Sequence, residues 1–297
     1  MPPTRTLWSA VWTLFWICYD AAKTRRFRER GPSRAMGFVA YPLATALGLV
    51  LGSFYTALAS RILYFAYGPG RRIPDRWKTI LLGRSFCMHC QTPIEERDLI
   101  PVLSFALLRG RCRHCSEPLG WHTLAGELFF GLLFPLLILS GQGWPGSLYA
   151  MLFCGHLYIA IATDYNLLLL DHENALFLLL WAVAFSLYDS ALDPGLFARH
   201  GVAAGIALAL FLVLYVAARG KGLGFGDVLL AGLIGLFLGI PWTLFAIVFG
   251  ATASVIYIVY IRRDRSQPAP LGAGMALGVM LTLVVRAIYR MSDTAVW

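Results

Sequence analysis

Two aspartates and four cysteines are the residues of this sequence whose types and spacing could do chemistry. Asp227 stands behind three glycines, in Gly222-Leu223-Gly224-Phe225-Gly226-Asp227, at the mouth of the apolar run 228–240. The glycines free the backbone for an irregular turn, and an acid beside a membrane segment is a functional-site candidate by default. Acid/base chemistry needs a second carboxylate at the same depth, and Asp164, which ends the apolar run 147–163, is that candidate. Two close carboxylates in a poorly solvated site cannot both ionise, so such a pair holds one proton. One member then deprotonates an attacking water while the other protonates a carbonyl oxygen. The two roles belong to the coupled pair rather than to either residue. For either acid alone the competing reading is a helix N-cap or a solvated interfacial acid, because Asp is a favoured cap. Asp171, with His172 and Glu173 beside it, competes with Asp164 for the first role but lies farther from the helix that would fix it.

The cysteines form two C-x2-C turns, Cys87 with Cys90 and Cys112 with Cys115. Each turn can aim two thiolates at one tetrahedral zinc. Two disulfides are the rival reading, and a cytosolic location disfavours them. His89 and His114 sit inside the turns as bystanders, since four cysteines already complete a closed structural site. Cys18 and Cys154 lie in apolar stretches and read as small core hydrophobes.

Apolar helices must position these residues. Of the 297 residues, 58% are hydrophobic and 14% charged, far more apolar than a soluble domain. A span takes roughly 20 apolar residues, and the runs are continuous blocks without strand-like alternation, so they are helices. The expected fold is an all-α polytopic membrane protein of about eight helices, over 36–67, 124–140, 147–163, 175–188, 202–218, 228–240, 242–261 and 271–288. No internal repeat is visible. The polar segment 68–122 carries nine Lys or Arg between Arg71 and Arg113, which places it in the cytosol. Two spans separate Asp164 from Asp227, so both acids emerge on that same side, where Arg219 and Lys221 also lie. Arg61, near the end of the first span, reads as a snorkelling anchor in preference to a partner for an acid.

The remaining organisation is an extension (1–35), a first transmembrane helix (36–67), a cytosolic four-cysteine domain (68–122) and a transmembrane catalytic bundle (123–297). In the extension, the Trp-rich run 7–19 with its basic flank fits an interfacial helix. Six basic residues between Lys23 and Arg34 conflict with a single crossing by 36–67. Either the charge rule fails locally or the N-terminal run also inserts. The net charge of +9 reads as topology signals and lipid-headgroup contacts, with no nucleic-acid partner.

Four stretches resemble the type IV prepilin leader peptidases, aspartic proteases of the bacterial inner membrane. They are Gly52-Ser53-Phe54 with Arg61; the cysteine pairs with Ile100-Pro101-Val102-Leu103-Ser104 and Leu108-Arg109-Gly110-Arg111-Cys112-Arg113; Glu127 near the start of the next span; and Gly224-Phe225-Gly226-Asp227. The resemblance implies removal of the basic leader from prepilins or pseudopilins of a type IV pilus or type II secretion machinery. It makes Asp164 and Asp227 the catalytic residues, facing the cytosol, and Cys87, Cys90, Cys112 and Cys115 the zinc ligands. It also implies N-methylation of the new N-terminus with S-adenosylmethionine. That cofactor rests on resemblance alone, because Gly222-x-Gly-x-Gly is not the dinucleotide-fold spacing. The chain departs from the family pattern at Leu229, where a lysine is usual, and at Leu169-Leu170-Asp171, which lacks the usual proline. These departures support a second class of function, a non-catalytic membrane assembly or scaffold factor.

Overall fold

The computed structural model describes residues 34–68, 76–192, 194–220, 222–262 and 270–295. The interfacial helix expected at 7–19, Cys18, Arg71, Lys221 and the basic stretch 263–265 lie outside the described residues. The described chain is helical. Helix α1 (Arg34–Arg61) runs on into a π-helical stretch, Ile62–Tyr67, and is followed by the short α2 (Arg76–Leu82), a 3-10 turn (Glu96–Leu99) and α3 (Leu103–Leu107). Then come α4 (Trp121–Leu139), α5 (Trp144–Leu167), α6 (His172–Leu192), α7 (Pro194–Ala217), α8 (Phe225–Leu238), α9 (Trp242–Ile256) and α10 (Leu271–Ala295). The only bridges among the described residues are two isolated ones in the cysteine segment, Phe86 to Pro93 and Arg111 to Pro118.

Seven of these helices are long and apolar enough to cross a membrane. The apolar run after Asp227 forms a shorter helix, the 14-residue α8, about 21 Å long at 1.5 Å per residue. Its faces are nonetheless largely buried: Val228, Leu230, Ala231, Ile234 and Phe237 are core residues. α8 is therefore an inner element wrapped by longer helices, chiefly α7 and α6.

Lipid tails offer no hydrophobic drive for one helix to leave them for another, so close backbone approach has to hold the bundle together. Glycines provide that approach at the three principal helix pairs, α1 on α4, α7 on α8 and α9 on α10. A Cβ on Gly52 of α1 would lie 2.8 Å from the Cα of Glu127 on α4. One on Gly235 of α8 would lie 2.7 Å from the Ala203 carbonyl oxygen on α7. One on Gly250 of α9 would lie 2.6 Å from the Cα of Met275 on α10. The obstacle is backbone each time, so no side-chain rotation relieves it. By contrast nothing lies within 4 Å of a Cβ on Gly201. Gly250→Val should destabilise the bundle by about 1–3 kcal/mol, lowering the melting temperature in detergent by several degrees. Gly201→Ala should leave it unchanged or raise it slightly. Equal melting temperatures for Gly250→Val and the parent chain would contradict this packing.

Candidate active site

Three helix ends converge on the two aspartates. Asp164 lies in the last turn of α5, whose end is fixed by Leu168 in the left-handed conformation (φ 54), its N–H donating to the Asp164 carbonyl oxygen at 2.9 Å. Asp227 is the third residue of α8, after the N-cap Gly224. Its Oδ2 accepts the Gly224 N–H at 2.9 Å, the carboxylate half of a capping box. The third end is the N-terminus of α10, where the Ala273 N–H donates to Asp164 Oδ2 at 2.7 Å.

Gly272 shows how near the two acids are. A methyl group there would lie 3.1 Å from Asp227 Oδ1 and 3.2 Å from Asp164 Oδ2. Both carboxylates thus border one small space, closed on its third side by backbone without a side chain. Each is half-buried. Each has one oxygen engaged by a backbone N–H, which fixes its rotamer, and Asp227 Oδ1 faces Gly272. Such a pair can bind a water, take its proton and return a proton to a carbonyl. The segment Pro270-Leu271-Gly272-Ala273 had no role in the sequence reading beyond opening a span. Its only local signal is a proline ahead of small residues at a helix start, where free N–H groups favour an anion.

Asp171 is not at this site in the same way. It caps α6, with Oδ1 accepting the Glu173 N–H at 2.9 Å and the Asn174 N–H at 3.2 Å. Its Oδ2 accepts the Tyr67 hydroxyl at 2.8 Å. Asp171 is therefore the N-cap that sequence alone could not distinguish from a catalytic acid, and it ties the end of the first membrane helix to the α5–α6 connection. Leu229, at the position of the family's usual lysine, is exposed on α8 and takes no part in holding Asp227.

The four cysteines come together as the spacing requires. Their Sγ atoms lie within 4.8 Å of one another, with Cys87 to Cys115 at 3.8 Å and Cys90 to Cys112 at 4.0 Å. A tetrahedral four-thiolate zinc with bonds of about 2.3 Å requires S···S distances of roughly 3.8 Å, so the cluster fits a closed structural metal site. None of the four forms a disulfide, and the shortest sulfur contacts run between the two turns. The Thr92 hydroxyl and N–H, hydrogen-bonding the sulfur, hold the Cys90 thiol down at about 6, while desolvation and the neighbouring sulfurs push Cys115 up to about 12, so without a cation the cluster does not hold four thiolates. The His89 imidazole lies 3.8 Å from Glu117, both on the surface.

The sequence expectation of no repeat fails in this segment. Each turn is built on the same string, Cys-x-His-Cys-x-x-Pro, at 87–93 and 112–118. In each the first cysteine's N–H is bonded to the carbonyl five residues on, with a left-handed residue after the second cysteine, Gln91 (φ 57) or Ser116 (φ 59). A second correction concerns Arg61. Its guanidinium donates to the Ile80 carbonyl and to Ser85 Oγ, both at 3.1 Å, and among the described residues it pairs with no acid. It holds the cysteine segment to the first helix where a lipid-facing anchor was expected. Glu127 does the same from α4, its Oε2 accepting the Val102 N–H at 2.7 Å.

Comparison with known proteins agrees with this arrangement. Residues 46–140 match the family model described as Bacterial Peptidase A24 N-terminal domain, and residues 151–259 match that of the Type IV leader peptidase family. The Prepilin leader peptidase/N-methyltransferase of Bacillus subtilis (strain 168) is 31% identical over 79% of this chain and 90% of its own length. The protein of that name from Dickeya chrysanthemi is 30% identical over 82% of this chain and 91% of its own. The Type 4 prepilin-like proteins leader peptide-processing enzyme of Escherichia coli O78:H11 is 29% identical over 83% and 94%. No solved structure matches the chain. With similarity running through both the cysteine segment and the helices that carry Asp164 and Asp227, the chain belongs to the type IV leader peptidase family of membrane proteases.

Proposed function

We propose that this protein is an aspartic endopeptidase of the bacterial inner membrane that removes the basic leader of prepilins or pseudopilins at the cytosolic membrane edge. The observation that carries this reading is the single space bordered by Asp164, Asp227 and the bare backbone of Gly272. A water held there loses a proton to one carboxylate as its oxygen attacks the scissile carbonyl. The other carboxylate gives its proton to that carbonyl's oxygen, and collapse of the tetrahedral species breaks the C–N bond with a proton passing to the leaving amine. One shared proton suffices for the cycle, as two adjacent carboxylates provide. The cytosolic placement is supported by the basic segment, which Arg61 and Glu127 hold to the bundle and which follows on Tyr67, bonded to Asp171 near the site. The basic leader of a substrate meets a net negative pair at the site, whatever the charge of the neighbouring segment.

The metal is zinc, held by Cys87, Cys90, Cys112 and Cys115 in a structural role, since four thiolates leave no position for substrate. Methylation of the new N-terminus with S-adenosylmethionine as donor is proposed on the names of the relatives. The non-catalytic scaffold reading finds no support, as the relatives named above are processing enzymes and Leu229 lies outside the contacts that hold the acids.

Leader cleavage by purified protein in detergent micelles tests the assignment. Asp164→Asn and Asp227→Asn should each reduce the rate by at least about 10³-fold. Asp171→Asn, which keeps a good cap, should stay within about tenfold of the parent. Full activity in either of the first two would remove the pair from the mechanism, and mass analysis of the product's N-terminus reads methylation in the same experiment. Metal analysis under reducing, chelator-free conditions should find about one zinc per chain, falling to none in a Cys87→Ser/Cys112→Ser variant. A metal-free parent protein would overturn the zinc assignment.

A further inference from the structure

The cysteine segment carries an exposed apolar face that neither the metal site nor the aspartates use. Leu99, Ile100, Leu103 and Leu107 are all exposed, Leu107 to 73%. Leu103 and Leu107 stand four apart on α3 and share one side of it, and Leu99 and Ile100 lie just ahead of that helix. Four large apolar side chains together on a watery surface mark an interaction site.

Two contacts place α3 beside the start of α4. The Phe105 ring lies 5.7 Å from the ring of Trp121, the first residue of α4. Trp121 is 76% exposed and continues a stripe down α4 through Leu128 and Leu132, the latter 69% exposed. On a membrane-crossing helix that stripe is the face turned to lipid. α4 has 19 residues, about 28 Å of helix, against a hydrocarbon core of roughly 30 Å. Trp121 must therefore sit at the hydrocarbon edge, where tryptophan is favoured.

Depth comes from Glu127. It lies six residues into α4, about 9 Å below the first, with its side chain directed back towards the N-terminus. Its carboxylate, itself buried, accepts the Val102 N–H at 2.7 Å. That bond draws the start of α3 down beside the first turns of the membrane helix. Val102 holds φ 62 to make it, a conformation that costs a β-branched residue energy and persists only where its surroundings enforce it. Arg109 and Arg111, exposed just after α3, lie where anionic headgroups would meet them.

We propose that residues 99–107, with Trp121, form a shallow membrane insertion: the cysteine segment dips its apolar face into the lipid of the leaflet beside the aspartate pair, continuous with the lipid-facing stripe of α4. The partner of this surface is the bilayer. The segment is thus held to the site from two directions, by protein bonds through Arg61 and Glu127 and by lipid from below.

The test uses full-length, zinc-loaded protein in phosphatidylcholine/phosphatidylglycerol vesicles, carrying Cys18→Ser and a nitroxide on Leu107→Cys, with the Cys18→Ser chain lacking Leu107→Cys as the control for label on Cys87, Cys90, Cys112 and Cys115. Relaxation by oxygen should exceed relaxation by a water-soluble nickel chelate, as for a label on Leu132→Cys and unlike one on Glu96→Cys. A label at 107 with the nickel accessibility of position 96 would overturn the proposal. Hydrogen exchange on the unmodified chain decides the matter should the labelled variant misfold. Amides 103–107 should exchange at least about tenfold more slowly in vesicles than in lipid-free amphipol, and equal rates would sink the idea.

Discussion

Two carboxylates on separate membrane helices will not stay adjacent unless something holds them there, because like charges in a poorly solvated site repel. In this protein the holding element is the N-terminus of α10. Its Ala273 N–H engages Asp164, and the missing side chain of Gly272 leaves the gap between Asp164 and Asp227 open. That helix end reaches the gap only because α9 and α10 approach backbone to backbone through Gly250, Gly274 and Gly278. A bulky residue at any of the three would push α10 outward and take its free N–H groups with it. The packing of two helices that carry neither acid therefore sets the geometry of the acids on two others.

The cysteine segment is bound into the same end of the bundle by polar contacts from the first membrane helix and from α4, and a further contact joins that first helix to α6. Arg61 reaches it from α1, and Glu127 from α4. The Tyr67 hydroxyl, at the end of the first membrane helix, bonds Asp171, whose other oxygen caps α6. Since α6 follows directly on the connection after Asp164, this chain of contacts runs from the root of the cysteine segment to within a few residues of the site. Glu127 and Asp171 are buried, so their links are costly to break, because a buried carboxylate left without its partner loses more than the bond itself contributes.

Much of this was readable in the residues. Continuous apolar runs revealed the helices, since only helices satisfy backbone groups in lipid, and the two spans between Asp164 and Asp227 placed the acids at one end. The cysteine spacing announced four convergent thiols. What stayed hidden was tertiary. Nothing in Leu271-Gly272-Ala273 says which carboxylate its free N–H groups will meet, because a helix N-terminus looks the same locally whatever it faces. Asp171 and Asp164 are both acids beside apolar runs, and only the Tyr67 and Asn174 contacts separate the cap from the pair. Arg61 looked like a lipid anchor because its partners, a carbonyl and a serine hydroxyl, leave no charge pattern in sequence. The repeat of the two cysteine turns was legible in Cys-x-His-Cys-x-x-Pro; it was missed because seven residues are short beside the membrane helices.

The central claim is that Asp164 and Asp227 act as one unit. The direct measurement is the leader-cleavage rate of the Asp164→Asn/Asp227→Asn double variant, compared with each single variant and with the uncatalysed background. If the two acids share one proton and one water, the second substitution has nothing left to remove, and the double variant should be no slower than either single one. Losses that multiply, each variant lowering the rate by its own factor in the presence of the other, would show two independent roles and contradict the pair.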